Sequence, residues 1–218
     1  MPAETADRPL PDHARVVIVG GGIMGCGLAY HLAHEGWTDV VLLEKAELTS
    51  GSTWHAAGQI THSTSSVALG ACVGYNIGLY SGALEAETGQ PVTWHGCGSL
   101  RLAYTDDEVD WLRHTLSVGR GLGFPMELVG PDRIRALHPF YGLDGVKAAL
   151  HTPEDGHVDP SNVTQALAAG ARAKGVRIVR RCRATNITRR GAEWVVETEK
   201  GAIACEHVVN AGGTYARQ

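Results

Sequence analysis

Residues 15–25 read Arg-Val-Val-Ile-Val-Gly-Gly-Gly-Ile-Met-Gly and decide the fold of this 218-residue chain. The β-branched, apolar run at the start predicts a buried parallel strand. Gly20, Gly22 and Gly25 then match the pattern G-x-G-x-x-G. In that pattern the first glycine permits a tight turn, the second lets the backbone approach a pyrophosphate, and the third lets the next helix pack closely on the strand. The stretch therefore predicts the opening strand, turn and helix of a dinucleotide-binding domain.

A helix and a second strand are expected directly after this turn. The helix is predicted from Ile23 to about Glu35, and its N-terminus offers N–H groups and the positive end of its dipole to phosphates. Residues 39–44 predict the second strand, which ends in Glu44, 19 residues after the last fingerprint glycine. An acidic residue for the ribose hydroxyls is expected roughly 20 residues on, and its charge argues against NADP. The fingerprint alone leaves FAD and NAD open, as well as a glycine-rich turn that holds no ligand.

The segment after the second strand distinguishes between these cofactors. Residues 49–53 are small and polar, and Trp54, His55 and the small Ala56-Ala57-Gly58 follow. Together with Leu43-Glu44-Lys45 and Glu47-Leu48-Thr49, this segment resembles the dimethylglycine and sarcosine dehydrogenase family, within the D-amino-acid-oxidase-like flavoproteins. The resemblance extends over nearly the whole chain from Arg15 onward and implies FAD as the cofactor.

The resemblance also implies which residues bind FAD. They belong to the fingerprint, the end of the second strand, the loop after it and two later segments: Gly20, Gly22, Ile23, Met24, Gly25, Glu44, Lys45, Gly51, Ser52, Thr53, Trp54, His55, Ala56, Ala57, Gly58, Gln59, Ala184, Gly212 and Tyr215. Tyr215 stands where the family usually has tryptophan, which is a departure from the pattern. No residue is nominated as a catalytic base, and no metal site is expected.

His55 has the most specific of these implied roles, a covalent bond to the 8α carbon of the flavin. The chemistry is reasonable for the residue type, because a neutral imidazole nitrogen is a nucleophile near neutral pH and can attack the flavin methyl carbon in its electrophilic tautomer. The alternative is a packed or hydrogen-bonded histidine beside a noncovalent flavin. His62 follows the same loop, but nothing in its spacing assigns it to a site.

Composition excludes several classes of protein. Hydrophobic residues make up 44% of the chain, enough for a core, and the formal net charge of −4 gives no electrostatic case for a nucleic-acid partner. The five cysteines are odd in number and lack C-x-x-C spacing, which predicts a reduced, cytoplasmic protein without a disulfide framework or zinc site. The N-terminus resembles neither a signal nor a transit peptide, and no apolar run is expected to span a bilayer, so no membrane partner is predicted.

The predicted fold class is α/β: a Rossmann-like FAD-binding domain, split in sequence, with an inserted β-rich substrate domain. We expect a disordered lead at 1–14, the first part of the FAD domain at 15–87, a partial substrate domain at 88–152 and the second part of the FAD domain at 153–218. Helices are expected at 66–87, 106–121, 131–137 and 160–174, and strands at 93–104, 146–152, 176–182, 184–190, 193–199 and 201–210. Family members continue beyond the equivalent of Gln218, so we also expect the chain to be truncated at its C-terminus.

The function implied by the resemblance is FAD-dependent oxidation of a secondary or tertiary amine such as dimethylglycine or sarcosine, by hydride transfer from the N-methyl carbon to flavin N5. Electrons would pass to an electron-transfer flavoprotein or to oxygen, and tetrahydrofolate would be used by the C-terminal region. Two alternatives stay open. One is a non-catalytic or regulatory relative, similar to the regulatory subunit of pyruvate dehydrogenase phosphatase, and the other is an oxidase of another amino acid.

Overall fold

A computed structural model describes residues 9–217 of the chain. Most of the predicted disordered lead, residues 1–8, lies outside the described residues. The end of that predicted lead is wrong, because strand β1 (His13–Val19) begins two residues before Arg15. Ala14 is fully buried in this strand, which explains why the residue is ordered.

The bounds of the other elements follow the predicted order. The remaining strands are β2 Val40–Leu43, β3 Gln59–Ile60, β4 Ser99–Ala103, β5 Glu127–Val129, β6 Ala148–Thr152, β7 Gly156–His157, β8 Arg177–Val179, β9 Ala184–Arg190, β10 Glu193–Thr198 and β11 Gly201–Asn210. The α-helices are α1 Ile23–His34, α2 Val67–Gly78, α3 Leu84–Thr88, α4 Asp106–Gly121, α5 Pro131–Leu137 and α6 Pro160–Ala173.

The chain divides into two compact units. Over the described residues, the first contains 9–57, 84–92 and 159–217, and the second contains 58–83 and 93–158. The predicted order of a split domain with an insert is therefore seen, but the boundaries differ from 87/88 and 152/153. Helix α2 belongs to the second unit, because Gly70 and Gly74 approach the side chains of Leu122 and Phe124 beyond α4.

A six-stranded sheet forms the centre of the first unit, in the order β8-β2-β1-β11-β10-β9. Strands β8, β2, β1 and β11 are parallel, and β10 and β9 are added antiparallel at one edge. Counted along the chain, the parallel strands have the order third-second-first-fourth, so β1 and β11 flank the point at which the winding reverses. Ligands of such sheets bind outside the carboxyl ends of the strands at this switch point.

Helices α1 and α6 pack together in the first unit, and local sequence explains their geometry. Asp159 is the N-cap of α6, its side chain accepting a 2.9 Å hydrogen bond from the N–H of Asn162, and Pro160 fills the first helical position. Gly170 lets the Tyr30 ring approach, since a Cβ there would lie 2.7 Å from the ring.

The second unit contains a three-stranded antiparallel sheet in the order β4-β6-β5. Helix α4 covers it and starts at a capping box, in which the Thr105 side chain accepts from the N–H of Glu108 and the Glu108 side chain accepts from the N–H of Thr105. Leu112, Met126 and Leu150 contribute to the core between this helix and the sheet. A separate two-stranded sheet pairs β3 with β7.

The predicted helix at 66–87 is present but interrupted. A five-residue π-helical turn, Leu79–Ala83, joins α2 to α3, and Gly82 has a φ of 157° there. The run Val67–Thr88 is nevertheless long and apolar enough to cross a membrane by length and composition, so the expectation that no run reaches this length is wrong. One such helix is weak evidence for a membrane, because core helices of soluble proteins also meet this criterion. The absence of a membrane partner stays a prediction.

Candidate functional site

The glycine fingerprint forms a turn in which backbone atoms lie too close for side chains. Gly20 has a φ of 117°, and a Cβ on it would lie 2.3 Å from the carbonyl oxygen of Ala211. A Cβ on Gly25 would lie 1.9 Å from the carbonyl oxygen of Gly20. The N–H of Ala211 donates to the carbonyl oxygen of Val19 at 2.8 Å, so the ends of β1 and β11 are joined at the switch point. This backbone geometry fits the approach of a pyrophosphate.

Glu44 lies at the end of β2, beside this turn. Its Oε2 accepts a 2.7 Å hydrogen bond from the N–H of Gly21, and its Oε1 accepts a 2.8 Å bond from the N–H of Ala46. The residue is 8% exposed. An ionised carboxylate offers about four lone-pair positions, so two backbone donors leave capacity for ribose hydroxyls. The position and orientation of Glu44 therefore fit the role expected from its spacing.

The N-terminus of α1 is held by the loop predicted to contact the flavin. Thr53 accepts a 3.1 Å hydrogen bond through Oγ1 from the N–H of Ile23, and a Cβ on Gly22 would lie 2.9 Å from that same oxygen. Gly22 is the N-cap and supplies no side-chain cap. The helix start consequently presents backbone N–H groups and the positive dipole end, which suits an anionic ligand.

His55 ends a short 3₁₀ turn, Thr53–His55, and is exposed. Its Nδ1 lies 3.2 Å from the carbonyl oxygen of Gly51, and its ring lies 3.8 Å from the Trp54 ring, between centroids. A carbonyl oxygen only accepts, so Nδ1 carries the proton and Nε2 holds the lone pair. Among residues 9–217 no hydrogen bond to Nε2 is present, which leaves this nitrogen available as a nucleophile.

Two later segments of the chain reach the same unit. The Lys45 ammonium lies 3.2 Å from the centre of the Tyr215 ring, so these two predicted cofactor residues are in contact. Gly212 lies two residues after the end of β11 and is the N-cap of the final 3₁₀ turn, Gly213–Tyr215. The N–H of Cys182 donates to the carbonyl oxygen of Glu44 at 2.9 Å, which brings the start of β9, and so Ala184, near the end of β2.

The predicted residues are not all in one unit. Gly51 to Ala57 belong to the first unit, whereas Gly58 and Gln59 belong to the second, where Gln59 pairs with His157 in the β3–β7 sheet. The first-unit loop is exposed over most of its length, including Ser52, Ala56 and Ala57. Met24 and Trp54 are large apolar residues that are 75% and 57% exposed. Their contact with FAD stays a prediction.

Cys26 lies behind the fingerprint turn and is chemically quiet. Its Sγ is 3.7 Å from the carbonyl oxygen of Gly21, and the residue is fully buried. Burial raises the pKa of the Cys26 thiol to about 12, against an opposing effect of Arg172 and with a smaller contribution from Glu44. The thiol therefore stays protonated and adds no thiolate charge beside the glycine turn.

Sequence reasoning missed a second group of polar residues, in the second unit. Asp155 is 1% exposed on its side chain and accepts from both His62 Nδ1 and the His62 backbone N–H at 2.8 Å. Its other oxygen accepts from the Thr61 and Ser99 hydroxyls at 2.6 and 2.5 Å. His62 also lines a cavity of about 550 Å³. Asp155 lies 93 residues after His62, and no local spacing could have paired them.

His31 and His34 lie three residues apart on α1, a spacing that could bind a metal, although a satisfied or exposed pair is the expected interpretation; both have partners in the protein. His31 Nδ1 lies 2.7 Å from the carbonyl oxygen of Gly27, and His34 Nε2 lies 3.0 Å from Glu87 Oε1. Over the part of the chain that the structure describes, no group of three or more potential metal ligands is found. These contacts favour the structural interpretation of the pair over the metal-binding one.

Comparison with known proteins gives a consistent result. A family model described as "FAD dependent oxidoreductase", DAO, matches residues 15–218. The mitochondrial dimethylglycine dehydrogenase of Rattus norvegicus is 43% identical over 208 residues, which is 95% of this chain and 24% of that protein. The mitochondrial pyruvate dehydrogenase phosphatase regulatory subunit of Mus musculus is 38% identical over 98% of this chain and 24% of that protein. The chain thus spans about a quarter of the length of these relatives.

A solved structure supports the fold independently. The L-proline dehydrogenase from P. horikoshii superposes with a TM-score of 0.88 and 29% sequence identity, over 95% of this chain and 55% of that one. The predicted fold class, α/β with a parallel sheet of the dinucleotide-binding kind, is confirmed by this likeness and by the strand order described above.

Proposed function

This chain belongs to the DAO family of FAD-dependent oxidoreductases, and on that premise we propose that it is the FAD-binding part of an enzyme that oxidises a secondary or tertiary amine such as dimethylglycine or sarcosine. The similarity to a dimethylglycine dehydrogenase supports an amine as the donor. FAD, when bound, supplies the acceptor for a hydride at its N5 atom. The amine would lose that hydride from its N-methyl carbon, and the resulting iminium would hydrolyse to formaldehyde or pass to tetrahydrofolate.

The residues of the first unit fit FAD. The glycine turn allows the close approach of a pyrophosphate, and Glu44 keeps lone pairs for ribose hydroxyls while its charge disfavours a 2′-phosphate. Lys45 and Tyr215 form a cationic and aromatic contact in the same unit. The protein's contribution to the redox step is to bind and orient the cofactor and the amine and to exclude water.

One observation carries the more specific proposal that FAD is covalently bound. The Gly51 carbonyl fixes the proton of His55 on Nδ1, so Nε2 presents its lone pair. Nε2 would bond to the 8α methyl carbon of the flavin while a proton leaves that carbon. His55 would hold FAD through this bond, and dioxygen would be the oxidant that accepts the two electrons released when the bond forms.

Intact-mass measurement of the denatured full-length protein tests this proposal. We expect the mass of one FAD on the unmodified sequence, and none on His55→Ala. His207→Ala is the matched control, because His207 is an exposed histidine of the same unit, and it should keep the adduct. Yellow colour that is released on denaturation would contradict the covalent bond, but the protein would still be a flavoprotein that binds FAD noncovalently.

A regulatory relative is the second candidate, and the 38% identity to a pyruvate dehydrogenase phosphatase regulatory subunit favours it. A full-length protein that binds no flavin and oxidises no methylated amine would support this candidate and contradict the enzyme. A protein that binds flavin but turns over a different amino acid would support the third possibility, an oxidase of another substrate. Oxygen consumption, compared with reduction of an electron-transfer flavoprotein, would identify the acceptor.

A further inference from the structure

The cavity of the second unit is lined by a histidine, two aromatic side chains, a carboxylate and small residues. His62, Trp94, Phe124 and Glu154 line it, together with small residues of α2 and the turn after it, such as Gly74. A Cβ on Gly74 would lie 3.0 Å from the Phe124 ring, so the absence of a side chain there lets the ring pack closely against α2. None of the described residues that line the cavity is a lysine or an arginine.

His62 is held in one orientation. Its side chain is 3% exposed, and the Asp155 carboxylate accepts from both its Nδ1 and its backbone N–H at 2.8 Å. Asp155 also accepts hydrogen bonds from two hydroxyls, those of Thr61 and Ser99. It is thus the acceptor in all four of its hydrogen bonds, as an ionised carboxylate must be. The proton of the neutral imidazole therefore lies on Nδ1, and Nε2 is an acceptor.

Nε2 of His62 has no hydrogen-bond partner within residues 9–217, although the residue is almost wholly buried. Nε2 is not among the fully buried side-chain atoms that lack a partner in the described residues, so it is accessible to a donor in the cavity. Because His62 lines the cavity, Nε2 can accept a hydrogen bond from a water or from a ligand donor inside it. A ligand with an N–H group is such a donor.

The other side chains that line the cavity favour a positively charged donor. Trp94 and Phe124 present aromatic rings, which attract cations through their faces, and the Phe124 ring lies 4.2 Å from that of His62 between centroids. Glu154 adds an exposed carboxylate at the same cavity. A carboxylate ligand would instead meet Glu154 and the lone pair of Nε2, both of which repel it.

We propose that this cavity binds a small organic ammonium group, with His62 Nε2 accepting a hydrogen bond from its N–H, Trp94 and Phe124 facing its charge, and Glu154 complementing that charge. Asp155 is a positioning residue that acts through His62. The inference names the class of ligand for the proposed amine oxidation and rests on that function for its biological meaning, but the cavity and its chemistry are defined within the second unit alone.

Ligand-observed NMR on the full-length protein tests the inference with two probes. Dimethylammonium carries the N–H and the charge without a carboxylate, and acetate carries a carboxylate without an amine. We expect binding of dimethylammonium and no binding of acetate. His62→Phe keeps an aromatic ring and removes the acceptor, and it should weaken dimethylammonium binding about tenfold or more. Glu154→Gln, at an exposed carboxylate, should weaken it by about two- to fivefold.

His151→Phe is the matched control, since His151 lies in the same unit, pairs with Glu127 and does not line the cavity. It should leave the affinity unchanged. Equal affinity in His62→Phe, binding of acetate that depends on His62, or no binding of dimethylammonium would each overturn the inference. If His62→Phe does not fold, the other two variants decide. The inference is then overturned if Glu154→Gln binds dimethylammonium as tightly as the unmodified protein and His151→Phe binds it more weakly. Flavin content and amine turnover are measured separately, so loss of either with dimethylammonium still bound contradicts the proposed function and not the cavity.

Discussion

Two glycines of α1 show what single residues contribute to the turn after β1. A Cβ on Gly25 would overlap the backbone of Gly20, whereas a Cβ on Gly27 would meet only one Leu167 carbon at 4.0 Å. We therefore expect opposite signs: Gly25→Ala destabilises the protein by about 1–3 kcal/mol, and Gly27→Ala stabilises it by about 0.5–1 kcal/mol through helix propensity.

Urea unfolding of the two variants beside the unmodified chain measures these free energies. Equal effects of the two substitutions would show that the turn tolerates a side chain at Gly25. Only Gly25→Ala should also reduce flavin content in the full-length protein, because only that substitution displaces the backbone that is predicted to bind the pyrophosphate.

The five cysteines give a second prediction at the scale of residues. All five are free thiols; Cys26, Cys182 and Cys205 are buried, whereas Cys72 and Cys97 are exposed. Burial raises the pKa of the Cys26 and Cys205 thiols, which removes the reactive thiolate. Iodoacetamide should therefore label Cys72 and Cys97 in the folded chain, and all five residues in denaturant, as mass spectrometry can count. Rapid labelling of Cys26 under native conditions would contradict the structure.

Residues of the first site were predictable because their spacing is local. Glu44 could be found from its distance to the fingerprint, and His55 from its position in a recognisable loop. His62 and Asp155 were not predicted as a pair, because their contact depends on the pairing of β3 with β7 and on the return of the chain near residue 155. Sequence patterns report neighbours along one element, and they do not report which distant elements meet.

Glu87 joins three helices of the first unit. Its carboxylate accepts a 2.5 Å hydrogen bond from the Tyr30 hydroxyl of α1, lies 3.0 Å from His34 and 3.8 Å from Lys174 at the end of α6. Burial alone raises the pKa of Glu87, but the Tyr30 hydrogen bond and the charges of His34 and Lys174 outweigh it and hold the pKa below its ordinary value near 4.5. The contribution of Glu87 to stability is therefore present above pH 4.5 and is lost as the pH falls through the lower, folded-state pKa.

We expect Glu87→Gln to lower the stability by up to about 1 kcal/mol at pH 6, because an amide keeps an acceptor for Tyr30 but loses the ion pairs. The difference from the unmodified chain should shrink as the pH falls from 4.5 towards 3. Thermal unfolding across this range measures it. Glu35→Gln is the control, because Glu35 is exposed and has no ion pair among the described residues, and it should show no such trend. The same pH trend in both variants would show that the loss of stability follows from the change in net charge and not from the contacts of Glu87.

The order and type of the elements could be predicted much better than their interruptions. Helix α4 and helix α5 have the predicted bounds, 106–121 and 131–137. The strand expected at 93–104 forms only at Ser99–Ala103, because Thr93 and Gly98 adopt positive φ and His95 pairs in isolation with His157. An apolar pattern indicates which face is buried, but it does not show where the backbone leaves the ladder for a turn.

At the scale of the whole molecule, the ends of the chain meet in the middle of the main sheet. Residues 13–19 of β1 pair with residues 204–210 of β11, so the central strands come from opposite termini. A chain that ends at Lys200 lacks β11 and leaves unpaired edges on both β1 and β10. We expect that chain to lose its cooperative thermal transition, and a chain that ends at Gly212 to keep it. Circular dichroism compares them, and a native-like transition in the shorter chain would contradict this interpretation.

The ends of the 58–158 stretch also meet, through the 3.0 Å hydrogen bond from the Val158 N–H to the Gly58 carbonyl oxygen and the β3–β7 pairing just inside it. In evolutionary terms, this closure makes the stretch a cassette. Recombination between related genes at its two ends exchanges one entire cavity for another while the strands of the first unit keep their own sequence. The exchange has one condition: residues 84–92 move with the stretch, so the incoming counterpart of Glu87 must fit the helices of the host's first unit. New substrate preferences can arise in this way in a single genetic event.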